Sequence, residues 1–151
     1  MDFSLTEDQI AFRQTARQFA QKELKPNAAE WDRTSHFPVD VIKKTGELGF
    51  LGLYTNSEYD GLGLPRLDSA MVFEELAWGD TAVAAYMSIH NMAGWMVGEY
   101  GSDALCKKYL PHMEFLIQRK NRLQIRQQMQ NLQMDLTGNL STTEKLVKIR
   151  K

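Results

Sequence analysis

His90 and Asn91 are adjacent polar residues within a long apolar stretch, and one interpretation of this pattern is that the pair orients a bound ligand. Ligand pockets are largely apolar walls that carry a few placed polar groups. The neighbouring Met87, Ile89 and Met92 supply such a wall. The alternative is a core histidine and asparagine that hydrogen-bond to nearby backbone, because unpaired burial of polar groups is too costly. Composition and spacing do not separate these two interpretations.

The spacing of the histidines gives little evidence for a catalytic or metal-binding site. His36, His90 and His112 lie far apart, and no pair shows the i,i+4 spacing of helical ligands, so we predict no metal site. Ser88 and His90 are two residues apart on a predicted helix and therefore point to different sides. No hydrolytic triad and no other catalytic residue is predicted.

Other reactive residue types give no stronger evidence for a catalytic or binding site. The segment 61–63 is a lone GxG in a loop, and neither a dinucleotide-binding motif nor a P-loop is present. Glu74 and Glu75 are predicted to lie on a surface or to cap a helix. Cys106 is the only cysteine, which excludes a disulfide framework and a cysteine zinc site within one chain and favours a reducing compartment.

Length and composition indicate one ordinary globular domain. The chain has 151 residues, 43% hydrophobic and 25% charged, with a net charge of −1. The charge is unevenly placed, because residues 112–151 carry eight basic and three acidic side chains, a net +5 that leaves −6 for residues 1–111.

We predict no nucleic-acid partner, since no aromatics interleave with the basic tail. No apolar run approaches membrane-spanning length and no signal peptide begins the sequence, so cytoplasm or mitochondrial matrix is expected.

Helix signals dominate the first half. Thr6-Glu7-Asp8-Gln9 is a capping box, and the helix it starts should end or kink at Pro26, with helical character resuming afterwards. Pro38 suits the first position of a second helix, and Gly49 suits its C-terminal stop. The segment Phe50–Pro65 is predicted to be a structured loop, because glycine and proline punctuate it.

The second half is predicted to hold a central helix. Asp68 should cap a third helix that Gly79 closes, and Asp80 should cap a fourth that runs from Thr81 to Tyr100. Apolar residues go almost all the way round this fourth helix, which predicts a buried, central position.

Beyond the fourth helix the sequence changes character. Ser102 starts a short fifth helix that Pro111 should stop, and a Gln-rich, basic segment follows. This segment contains a short apolar seam at four-three-four spacing and then a small basic amphipathic helix starting at Ser141. The seam consists of Ile125, Met129, Leu132 and Leu136.

An ordered set of segments covers the first 111 residues: LTEDQ, WD, FPVDVIKKTGELGFLGLY, EYDGLGLPRLD, FEELAWGDTAVAAYMSIHNM and EYGSDALCKKYLP. In this order they resemble the N-terminal helical domain of the acyl-CoA dehydrogenase family, nearest to its isobutyryl and short branched-chain members. The resemblance implies an all-α orthogonal helical bundle of that type, here with extra C-terminal helices. It also implies a division into domain 1–111 and an unrelated helical extension, 112–151.

The resemblance implies flavin-dependent α,β-desaturation of an acyl-CoA thioester. In that family a glutamate removes the α proton while the β hydride passes to FAD. The N-terminal domain lines the acyl cavity, whereas a middle β domain and a C-terminal helical domain hold FAD and the base. Carried over to this sequence, Met87, Ile89, His90 and Asn91 are candidate residues of the acyl-pocket wall. Ile89 matches its floor, where a branched side chain suits a short acyl group.

Residues 112–151 depart from the family, because no flavin-contact segment follows Pro111. FAD is therefore implied by the resemblance but not expected to bind to these 151 residues alone, and activity of the isolated chain is not expected. The acyl-CoA substrate is implied by the family, together with a homo-oligomer or missing partner domains. The alternative function is a small all-helical interaction module that binds a partner protein through its C-terminal helices.

Overall fold

A computed structural model describes residues 4–113, and this part of the chain is built from helices without strands. A π-helical turn, Ala20–Leu24, follows the first α-helix, and a short 3-10 turn, Ser57–Tyr59, lies in the loop after the third. The all-α prediction is confirmed for these residues. The predicted C-terminal seam and final helix lie outside the described residues. The α-helices are α1 (Glu7–Phe19), α2 (Ala28–Thr34), α3 (Val39–Glu47), α4 (Arg66–Gly79), α5 (Thr81–Tyr100) and α6 (Asp103–Met113).

The start and end of α1 follow their local signals. The Thr6 hydroxyl accepts a hydrogen bond from the Gln9 amide at 3.2 Å, and the Gln9 side chain accepts one from the Thr6 amide at 3.0 Å. The capping box is therefore confirmed. The helix widens into the π-helical turn and ends before Pro26, and α2 resumes at Ala28, as predicted.

The boundaries of α3 and α5 also match the sequence signals. Gly49 follows α3 with φ of +80°, a left-handed conformation that favours glycine at a helix C-terminus. Pro38 precedes the first helical residue by one position and is the N-cap. The Asp80 carboxylate accepts a hydrogen bond from the Val83 amide at 2.8 Å, which confirms it as the cap of α5.

Two predicted boundaries are wrong. Asp68 does not cap α4, because the helix begins at Arg66, and the Asp68 carboxylate instead accepts a hydrogen bond from the side-chain nitrogen of Gln9 at 2.8 Å. Pro111 does not stop α6, which continues to Met113. A proline in the last turn removes only one backbone donor, so the residues after it still complete the turn.

The core lies where α1 packs along α4, α4 packs against α5 and the loop between α3 and α4 folds over them. This loop is a structured segment, as predicted, and its first part, residues 50–53, is buried. Its two arms are joined by backbone hydrogen bonds from Leu62 to Gly52 and from Leu64 to Leu53, both at 2.7 Å. The fully buried apolar side chains of the core include Leu24, Phe50, Leu51, Leu53, Val72, Leu76 and Met87.

Gly79, at the end of α4, allows the π-helical turn to approach closely. A Cβ atom at this position would lie 2.9 Å from the Cβ atoms of both Ala20 and Leu24. Alanine is the better helix former by about 1 kcal/mol, but overpacking of a dense contact costs about 1–3 kcal/mol. We therefore expect Gly79→Ala to lower the free energy of unfolding by up to roughly 2 kcal/mol in urea titrations.

Gly98→Ala is the matched control for Gly79→Ala. Its added Cβ would meet only the Leu110 side chain, at an ordinary 3.6 Å. This variant should therefore be as stable as the parent or slightly more stable. Equal stability of the two variants would contradict the close packing of Gly79.

Candidate functional site

α5 has one buried side and one open side, which corrects the prediction that it is buried all round. Met87 and Asn91 are fully buried, whereas Ile89 is 61% exposed. The apolar content of a helix does not reveal which of its faces the rest of the chain covers. We name the open side the α5 stripe. It consists of Tyr86, Ile89, Met92, Met96 and Tyr100, all exposed in the structure of residues 4–113.

The apolar surface continues from the α5 stripe onto the start of α3. The Phe37 ring packs edge-on against the Tyr86 ring, with centroids 4.8 Å apart. Phe37 and Val39 are themselves about half exposed. Contiguous exposed apolar surface of this kind marks interaction or ligand sites in proteins.

Asn91 fastens α5 to the loop that follows α3. Its side-chain oxygen accepts a hydrogen bond from the Leu53 amide at 2.7 Å. Its side-chain nitrogen donates to the carbonyls of Phe50 and Met87, each at 2.9 Å. The structure thus gives Asn91 the hydrogen-bonded core position that was one of the two interpretations. Its contribution to an acyl pocket stays a prediction.

His90 lies between the buried and open sides of α5. Its Nε2 is 3.1 Å from the carbonyl oxygen of Met113 at the end of α6. A carbonyl only accepts hydrogen bonds, so Nε2 carries the proton in this arrangement. The imidazole also stacks on the Tyr86 ring at a centroid distance of 6.5 Å. His90 thereby joins the α5 stripe to the point where α6 ends.

The four predicted pocket residues do not share one side of α5. Met87 and Asn91 face the core, Ile89 faces outward, and His90 is partly buried between them. The family resemblance grouped them because they match one stretch of the pocket helix, but successive helical residues are about 100° apart. Their assignment as an acyl-pocket wall stays a prediction, which Ile89 is best placed to fulfil.

A separate groove of about 380 Å³ lies between the second half of α5 and the loop. The Arg66 guanidinium lies over the rings of Tyr54 and Trp95, 3.8 and 4.7 Å from their centroids. Burial raises the pKa of Tyr54, and the positive charge of Arg66 opposes this. No sequence motif signalled this groove. Its lining includes Tyr54, Thr55, Asn56, Trp95, Gly98 and Glu99.

Glu75 is a buried carboxylate, which corrects its predicted placement at a surface or cap. It is 3% exposed and accepts hydrogen bonds from Arg13 at 2.8 Å and from Arg17 at 2.6 Å. Burial raises the pKa of Glu75, but the hydrogen bonds and charges of Arg17 and Arg13 outweigh burial and hold it below its ordinary value. The two arginines are four residues apart, a signal of one helical face that could have revealed this pair.

Within residues 4–113, no three histidine, cysteine or carboxylate side chains cluster closely enough to hold a metal ion. The helices of this part of the chain are each too short or too polar to cross a membrane. The α5 stripe and the groove between α5 and the loop are two candidate ligand sites among the described residues.

The helical fold and its order of elements match one class of protein. The family model "Acyl-CoA dehydrogenase, N-terminal domain" matches residues 6–114. The chain therefore belongs to the acyl-CoA dehydrogenase family and carries its N-terminal domain. The predicted family and fold are confirmed.

Isobutyryl-CoA dehydrogenases are among its sequence relatives. The chain is 46% identical over 99 residues to the mitochondrial enzyme of Bos taurus, covering 66% of this chain and 24% of the relative. It is 43% identical over 109 residues to the mitochondrial enzyme of Dictyostelium discoideum, covering 72% and 26%.

Solved structures agree with this assignment. A glutaryl-coenzyme A dehydrogenase in complex with glutaryl-CoA matches with a TM-score of 0.71 and 34% identity, over 76% of this chain and 30% of that one. Butyryl-CoA dehydrogenase from Megasphaera elsdenii matches with a TM-score of 0.69 and 29% identity, over 77% and 31%. The chain thus spans about a quarter to a third of the relatives that it matches.

The family consists of flavin-dependent dehydrogenases, so FAD is the cofactor to test against this structure. The loop groove, at about 380 Å³, is near the lower end of the roughly 300–1,000 Å³ that drug-sized ligands occupy. FAD is a dinucleotide and is larger than the ligands that a groove of this volume holds. The groove therefore does not fit FAD.

Proposed function

We propose that this domain supplies the acyl-side wall of a dehydrogenase that desaturates short or branched acyl-CoA thioesters between the α and β carbons. The observation that carries the proposal is the open α5 stripe, an apolar surface in a domain of the right family. Ile89, near the middle of the stripe, is 61% exposed. An acyl chain seated there would bury apolar surface and gain about 25 cal/mol per Å².

The chemical role of these residues is to position the acyl chain and to exclude water. Desaturation needs a base within reach of the α proton, and bound FAD supplies the hydride acceptor. We assign neither the base nor the binding of FAD to residues 1–111. We propose that these residues are one domain. Residues 112–151 form a separate extension in this proposal. The shares of 24% and 26% of the isobutyryl-CoA dehydrogenases that the chain covers support a division of labour with further domains.

Assembly and location follow from the same proposal. Partner domains or further copies of the chain would complete the pocket above the α5 stripe. The mitochondrial names of the two isobutyryl-CoA dehydrogenase relatives support the mitochondrial matrix, with the bacterial cytoplasm as the other location that we propose.

A chimera tests the proposed role of Ile89 directly. Residues 1–111 would replace the matching segment of an isobutyryl-CoA dehydrogenase, and kcat/KM would be measured with acyl-CoA thioesters of increasing length. We expect Ile89→Gly to shift the ratio of kcat/KM toward longer acyl groups by about 10–200-fold, because a pocket distinguishes one methylene by about 1–3 kcal/mol.

Leu67→Gly is the matched control for this experiment, because Leu67 is 68% exposed but lies on α4 and is not part of the α5 stripe. It should leave the length preference unchanged. The unfused chain is expected to show no turnover and no flavin absorbance. An Ile89→Gly chimera with the parent preference would contradict the assignment of Ile89, and a flavin bound to the unfused chain at one per chain would contradict the division of labour.

A further inference from the structure

Phe37 is a large apolar residue on a connection whose backbone is fixed on both sides. Ser35 is the C-cap of α2 with φ of +54°, and the His36 amide donates a hydrogen bond to the Trp31 carbonyl at 2.9 Å. Pro38 follows directly and restricts the residue before it to extended backbone. The Phe37 side chain is nevertheless half exposed, so the backbone, more than burial, sets its position.

Tyr86 is held in place by two neighbouring rings. The Phe37 ring meets it edge-on at a centroid distance of 4.8 Å, and the His90 ring, one turn further along α5, stacks on it at 6.5 Å. Both distances lie within the roughly 4.5–7 Å range of favourable aromatic pairs. An exposed side chain without such contacts changes rotamer within picoseconds to nanoseconds. The two contacts therefore restrict the orientation of a ring that is itself 40% exposed.

Tyr86 borders the residue that we propose as the floor of the acyl site. Residues three apart on a helix are neighbours on its surface, so Tyr86 lies next to Ile89, about 4.5 Å closer to the N-terminal end of α5. An acyl group that extends past Ile89 in this direction meets the Tyr86 ring. Phe37 contacts this ring from outside α5. The described residues thus place two aromatic rings at one end of the α5 stripe.

We propose that Phe37 is a positioning residue for acyl specificity: it holds the Tyr86 ring beside Ile89, and this ring excludes straight acyl groups that are longer than short branched ones. Tyr86 contacts the acyl group in this proposal, and Phe37 acts through Tyr86. The inference rests on the proposed function, because it needs an acyl group on the α5 stripe. It extends the control of substrate length from α5 to the connection between α2 and α3.

The contact is tested first in the full 151-residue chain. Incorporation of fluorotyrosine gives each of the five tyrosines a fluorine NMR signal, and Tyr86→Phe identifies the signal of Tyr86. We expect Phe37→Leu to shift this signal, because the edge-on ring that lies 4.8 Å away is lost. The signals of the other tyrosines are internal controls and should stay in place. An unchanged Tyr86 signal would overturn the proposal.

The acyl preference is then measured in the chimera that carries residues 1–111. Phe37→Ala should raise kcat/KM for longer straight acyl-CoA thioesters relative to isobutyryl-CoA by at least about tenfold, since one methylene in an apolar site is worth about 10–200-fold. Phe37→Tyr keeps the ring and should keep the parent preference. Tyr86→Ala should shift the preference in the same direction. Adding Phe37→Ala to Tyr86→Ala should change nothing more, because residues that act as one unit are not additive.

Tyr109→Ala is the matched control, because Tyr109 is 48% exposed but lies on α6 and is not part of the α5 stripe. It should leave the acyl preference unchanged. Phe37→Leu replaces Phe37→Ala, with the same expectation, if the alanine chimera does not fold. Fully additive effects of Phe37→Ala and Tyr86→Ala would overturn the proposal, because Phe37 would then not act through Tyr86.

The Ile89→Gly chimera separates this inference from the proposed function. A shift in acyl preference with Ile89→Gly but none with Phe37→Ala would overturn the inference and leave the proposed function intact. No shift with either variant would overturn the assignment of Ile89 to the acyl site as well.

Discussion

Replacing Asn91 with leucine is expected to lower the free energy of unfolding by about 2–6 kcal/mol, measured by urea titration. Leucine has a similar shape but leaves the Leu53 amide and the Phe50 carbonyl without their side-chain partner. Both groups lie in the buried arm of the loop, and each unsatisfied buried group costs about 1–3 kcal/mol. A loss of this size approaches the whole stability of a small domain.

Asn27→Leu makes the same replacement at an exposed asparagine, whose side chain donates only to the Glu23 carbonyl. It should change the free energy of unfolding by no more than about 0.5 kcal/mol. If Asn91→Leu changed the free energy of unfolding as little as Asn27→Leu, the hydrogen bonds of the Asn91 side chain would not hold α5 to the loop.

The double replacement Arg13→Met with Arg17→Met is expected to cost about 3–5 kcal/mol at neutral pH, because it leaves the buried Glu75 carboxylate without a partner. In the parent chain the lowered pKa of Glu75 contributes stability above its ordinary value of 4.5, and this stability is lost as pH falls through the lowered pKa. Without the arginines, burial alone acts and raises the pKa of Glu75. The variant should then lose stability as pH rises through the raised pKa.

The opposite pH dependence of parent and variant is the measurable result, read from urea midpoints from acidic pH, below the ordinary Glu75 pKa of 4.5, up to neutral pH. Arg33→Met removes an exposed pair with Glu30 and should cost about 0.2–1 kcal/mol, with little change in pH dependence. A double variant that keeps the pH dependence of the parent chain would contradict the account of Glu75.

Local signals in the sequence predicted most helix boundaries correctly. The capping box at Thr6, the stop at Gly49 and the cap at Asp80 each depend on residues within a few positions, so a reader of the sequence has all the information required. The prediction for Asp68 was wrong because the partner of its side chain is distant in the sequence. A carboxylate three residues into α4 looks like a cap, but its partner, Gln9, is 59 positions away.

Long-range partners set the features that the sequence did not reveal. Glu75 is buried because Arg13 and Arg17, about 60 residues earlier, meet it across the contact between α1 and α4. The hydrogen bonds of Asn91 reach 38 and 41 residues back to the loop. The open side of α5 depends on which elements cover the helix, a property of tertiary packing that periodicity does not contain.

The double attachment of the loop to α5 ties the two sides of this helix together mechanically. Besides the clasp at Asn91, the Tyr54 hydroxyl donates a hydrogen bond to the Ser88 carbonyl at 3.4 Å, one residue before Ile89. A tilt of α5 would therefore move the loop as well, so the groove and the α5 stripe on the other side of the helix would shift together. Substitutions in the loop can thus change the position of the α5 stripe without contacting a ligand bound to it.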